Sequence, residues 1–118
     1  MRRASGPRVE LLQGTLDLLI LRTLLFGPSH GHAIAKHIQR TSEELLQVET
    51  GSLYPALHRL EAQGWIAASW ATSEKGKRAK YYRLTAQGRK QVDAARAKWE
   101  TFSRAVGLVL KPANGERS

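Results

Sequence analysis

Residues Gly51 to Ile66 read GSLYPALHRLEAQGWI. Leu53, Leu57 and Leu60 stand four and three apart, which gathers them on one face of a helix, and Gly64 stops that helix. Pro55 suits such a helix only in its first turn, where backbone N–H groups lack intrahelical acceptors. With an N-cap near Ser52, the spacing predicts a helix starting at Ser52 or Leu53. Its outer side then presents Tyr54, Pro55, His58, Arg59 and Glu61.

Upstream, Gly14 to Phe26 (GTLDLLILRTLLF) is apolar on nearly every side, as a helix at the centre of a small domain would be, and Gly27-Pro28 ends it. Ser29 is placed to cap a second, short helix with Ile34 and Ile38 on its inner face, running to about Arg40. Downstream, Trp65–Ala71 and Ala79–Leu84 read as two strands joined by Thr72 to Arg78, a hairpin with a charged tip around Gly76. Thr85 caps a long last helix in which Val92, Ala95, Trp99, Phe102, Val106 and Val109 are spaced 3, 4, 3, 4, 3. Those six form a narrow stripe of the kind that two helices bury against each other.

The chain has 118 residues, enough for one domain, and a globular composition that is 42% hydrophobic and 25% charged. It contains no cysteine, which removes disulfides, thiol nucleophiles and Cys-based metal sites and suits a reducing, cytoplasmic setting. Arg22 interrupts the most apolar run, which is far shorter than the roughly 20 residues a membrane span needs, and no export signal is read at the start. The formal net charge is +9, but residues 1 to 51 contribute only +1 and residues 52 to 118 the remaining +8. Glu74 to Lys90 alone holds Lys75, Lys77, Arg78, Lys80, Arg83, Arg89 and Lys90 against one acid. So dense a local excess points to a polyanionic partner.

Three helices, a basic hairpin and a trailing helix describe a winged helix-turn-helix of mostly α (α+β) class. The expected organisation is a basic N-terminal arm over 1–10, the winged domain over 11–85, a dimerisation helix over 86–111 and a disordered tail over 112–118. A helix fits the major groove of B-DNA while a basic loop beside it reaches the neighbouring backbone. On that reading Arg59 or His58 reads a guanine, Ser52 and Tyr54 donate to phosphates and Pro55 touches a thymine methyl. The wing contributes Lys75, Lys77, Arg78, Lys80 and Tyr82. Two residues have structural rivals: Tyr54 as a ring half-buried between helices, and Arg59 as the partner of Glu61 or a neighbour.

The Gly51–Ile66 stretch resembles the third-helix signature of PadR-type transcriptional regulators, in which a Gly, a small hydroxyl residue, Leu-Tyr, a later Leu, Leu-Glu and a Gly recur. Arg78 to Thr85 followed by Gly88 is similar to the family's second wing strand and last-helix start, and Gly14-Thr15-Leu16-Asp17 and Gly31 with Ile34-Ala35-Lys36 fit its opening. The second helix departs from the pattern, with His32 and Ala33 where a Tyr and an acidic residue are common. The resemblance, to the smaller class with a single short C-terminal dimerisation helix, implies a homodimeric repressor on an inverted-repeat operator, released by an effector. It also implies a role for Trp99, whose spacing from Thr85 is similar to that of a tryptophan lining a flat drug-binding pore in a multidrug-sensing member. Such a pore takes planar hydrophobic or cationic molecules.

Two alternatives remain open from sequence: a small-molecule sensor with its pore at the dimer interface, and a non-specific basic RNA binder. The RNA reading expects stacking aromatics on an exposed sheet, for which the wing is a small platform. His30, His32 and His37 cluster without a nearby carboxylate and make a poor zinc set, so no metal and no cofactor is expected. No nucleophile elbow, phosphate-binding glycine loop or facing acid pair is present, and an enzyme is not expected.

Overall fold

Apolar residues at helical spacing build the core. The computed structural model describes residues 14–112, with α1 (Thr15–Leu24), β1 (Ser29–His30), α2 (Gly31–Thr41), α3 (Thr50–Ala62), β2 (Ile66–Thr72), β3 (Arg78–Leu84) and α4 (Ala86–Leu110) in chain order. Leu16, Ile20, Leu21 and Leu24 of α1 pack against Ile34 and Ile38 of α2 and Leu53, Ala56, Leu57 and Leu60 of α3. Ile66, Tyr82 and Val92 close the cluster from the sheet and α4. Full burial of each large aliphatic side chain contributes about 1.5–3 kcal/mol, so this cluster holds the three helices in one arrangement. The expected arm over 1–10 and residues 113–118 of the expected tail lie outside the described residues.

Two helix starts differ from expectation. Ser29 is not the cap of α2; it lies in β1, and the His30 imidazole Nδ1 accepts from the Ala33 N–H at 3.2 Å instead. β1 pairs antiparallel with β3 (Ser29 with Tyr82, His30 with Tyr81), so the expected hairpin is the larger part of a three-stranded sheet of order β1-β3-β2. A two-residue strand carries no periodicity for a sequence reading to detect. α3 starts at Thr50 rather than Ser52 or Leu53, and its N-cap Glu49 makes no side-chain bond. Pro55 therefore stands inside the helix, and the carbonyl that lacks its partner belongs to Gly51, which is exposed to water and has open space around it.

The hairpin strands pair from Ile66 with Leu84 to Thr72 with Arg78, one residue longer at the tip than expected. At the junction with α4, the Thr85 hydroxyl donates to the Gly64 carbonyl at 2.7 Å and accepts from the Gly88 N–H at 3.0 Å. The start of α4 is thereby tied to the end of α3. Gly88 is buried against the chain at Trp65, and a Cβ there would run into the Trp65 carbonyl oxygen.

Candidate nucleic-acid interface

With about 100° between successive residues, the buried Leu53, Ala56, Leu57 and Leu60 put Gly51, Pro55, His58 and Ala62 on the outer crest of α3. Its two flanks are held by neighbouring elements. On one, the Arg59 guanidinium pairs with Asp17 of α1 at 2.7 Å, with side-chain exposures of 46% and 21%. Arg59 thus finds its partner in another helix and not in Glu61. Glu61, on the other flank, faces Lys80 of β3 at 3.6 Å. Tyr54 shares that flank and lays the hydroxyl end of its ring over Gly31, where any Cβ would collide with it. Tyr54 is therefore supported by α2 yet half exposed, and Ser52 is exposed in the first turn. The signal for the Asp17–Arg59 pair was an acid standing inside the apolar α1 run, a charge that needs a partner.

In the wing, Ser73 and Lys77 close the tip through a 2.6 Å backbone bond, leaving Lys75 and Lys77 exposed. The Arg78 guanidinium lies 5.1 Å from the exposed Trp70 ring centre, and the Lys80 ammonium 5.7 Å from that of Tyr82. Tyr82 itself is a correction: assigned to the outer wing from sequence, it is only 5% exposed and belongs to the core. Central in the sheet between β1 and β2, it packs with the core and also lines the cleft between wing and helices. Burial pushes its phenol above the ordinary value of 10.0, with Glu61 and Tyr54 adding to the shift. Between wing and helices runs a cleft of about 620 Å³ in which Tyr54 and His58 meet Trp70, Lys77, Arg78 and Lys80.

The α4 stripe divides in two. Val92, expected on an intermolecular seam, is 1% exposed within its own chain and packs in the core. Ala95 is half-buried, and an apolar hollow of about 330 Å³ opens there between Thr15 and Leu18 of α1 and Trp99 and Phe102 of α4. Beyond it α4 leaves the domain, with Phe102 57% and Val109 82% exposed and Val106 half-buried. Trp99 and Phe102 face each other with ring centres 6.1 Å apart. His30 and His32 lie near each other while His37 packs on Phe26; among the described residues no group of three or more His, Cys, Asp or Glu is placed to hold a metal.

The profile of the transcriptional regulator PadR-like family matches residues 20–94, which span α1 to α4. The chain belongs to the PadR-like family. It is 30% identical over 97 residues to a transcriptional regulator of Mycobacterium tuberculosis, covering 82% of this chain and 87% of that one. Among solved structures it is similar to a transcriptional regulator from Clostridium thermocellum, with a TM-score of 0.76, 32% identity and coverage of 84% and 96% of the two chains. A PadR family regulator from Eggerthella lenta matches with a TM-score of 0.71, 33% identity and 86% of each chain. This PadR-family chain is thus a transcriptional regulator with a winged-helix α+β fold, not an enzyme. No helix among its described residues is long and apolar enough to cross a membrane.

Proposed function

We propose that this PadR-family regulator is a cytoplasmic, sequence-specific DNA-binding repressor that grips an inverted-repeat operator as a homodimer. The cleft in which His58 and Tyr54 of α3 face Lys77, Arg78 and Lys80 of the wing carries this reading, because it puts a groove-sized helix and a cationic edge on one surface. Residues 14–85 act as the DNA-binding unit and Ala86–Leu110 as the dimerisation helix. The exposed Trp99, Phe102 and Val109, with half-buried Val106, form the apolar surface offered to a second copy.

Fluorescence anisotropy of the protein on a labelled duplex from its own promoter, with scrambled competitor across a salt series, tests the DNA reading. Tight binding that resists the competitor supports it; equal, steeply salt-dependent binding to both duplexes overturns sequence specificity and leaves a general nucleic-acid binder. The hollow between Trp99, Phe102 and α1 favours, as a second reading, release by a planar hydrophobic or cationic effector stacked on Trp99. Quenching of tryptophan fluorescence by a planar cationic dye, lost in Trp99→Ala, checks it.

A further inference from the structure

We infer that base selection on α3 passes through His58, because Asp17 of α1 withholds Arg59 from the DNA. The inference rests on the DNA-binding reading and assigns the discriminating residue within it. The polar residues on the outer side of α3 are not equally available. Arg59 lies about 70° round from the crest, on the flank towards α1, where one guanidinium nitrogen donates to the Asp17 carboxylate at 2.7 Å. Asp17 is the less exposed partner, 21% against 46%, and draws the guanidinium towards α1.

Tyr54 lies about as far round on the opposite flank, with its hydroxyl end over Gly31. Ser52 is further from the crest on the Arg59 flank, and Pro55 has no hydrogen-bond donor. His58 stands about 30° from the crest, exposed, on the side that opens into the wing cleft. An imidazole there has a ring N–H to give to guanine N7 or O6 in the major groove. Arg, the usual guanine reader, is present one residue later but turned away. The two ion pairs, Asp17 with Arg59 and Glu61 with Lys80, brace the helix between α1 and the wing and leave the crest free.

The test is selection from a random-duplex pool by the full-length protein and by His58→Ala, Arg59→Ala and Asp17→Asn, with each variant's melting curve recorded beside it. The wild-type protein is expected to enrich a two-fold symmetric consensus. His58→Ala should lose preference at one base pair in each half-site, with discrimination there falling by about fivefold, the low end for a specific base contact. Arg59→Ala should keep the consensus. Asp17→Asn, which frees the guanidinium, should gain a new guanine preference or steepen the salt slope by about 0.9, the value of one more neutralised phosphate. Should Arg59→Ala melt early, Arg59→Lys serves in its place, since it keeps the charge but not the forked geometry of a guanine reader. A consensus lost with Arg59→Ala or Arg59→Lys, or left intact by His58→Ala, overturns the assignment while leaving the regulator reading in place. A wild-type protein that enriches nothing overturns the DNA-binding reading and this inference with it.

Discussion

Gly88 meets the main chain of another element: its α carbon stands against the carbonyl of Trp65, so the side chain that fits there is a hydrogen. Gly88→Ala adds overpacking of about 1–3 kcal/mol, towards the upper end because the obstacle is backbone, against a helix-propensity gain of about 1 kcal/mol. The urea midpoint is expected to fall; an unchanged midpoint would mean that α4 slides at its start without cost. Tyr82 carries a pH dependence. Its folded-state pKa is raised above the ordinary 10.0, so as pH climbs past 10.0 the unfolded chain gives up its proton first and stability declines. Tyr82→Phe removes that proton, and the difference between wild-type and variant urea midpoints should shift in the variant's favour above pH 10.0. A constant difference across that range would show that the phenol titrates alike in both states.

The wing was readable as an element from its charge and its two strand-like runs, but its side chains are not equivalent. Lys75 and Lys77 sit at the exposed tip, whereas Arg78 lies over Trp70 and Lys80 faces Glu61. Replacing Lys75, Lys77, Arg78 and Lys80 together by Ala is expected to weaken binding to all duplexes and flatten the salt slope by up to about 0.9 for each phosphate left without its cation. The tip pair alone should account for most of the change. Unaltered affinity and slope in the quadruple variant would remove the wing from the interface. α3 shows how a correct element can have a misplaced start: Pro55 suggested a first turn at Ser52, but an exposed Gly51 carbonyl tolerates the missing bond one turn further in.

The outer half of α4 extends past the core, with Phe102, Leu108 and Val109 bare. In a homodimer this surface is covered, so Phe102→Asp would bury an unpaired carboxylate in the seam and is expected to halve the sedimenting mass. A variant that still sediments as a dimer would move the interface elsewhere. Local pattern was sufficient for the helices, the hairpin, the Thr85 cap and the family, because periodicity of 3.6 or 2 and turn residues are written in neighbouring positions. It also marked the exposed residues of α3 and the basic tip. The strand at Ser29–His30, the burial of Tyr82, the split of the α4 stripe at Val92 and the capture of Arg59 by Asp17 each depend on residues more than ten, and up to about seventy, positions away in the chain. Short-range spacing states which face a residue is on; which neighbour that face meets is set by how the elements pack, and packing of α3 on α1 is what brings Arg59 to Asp17.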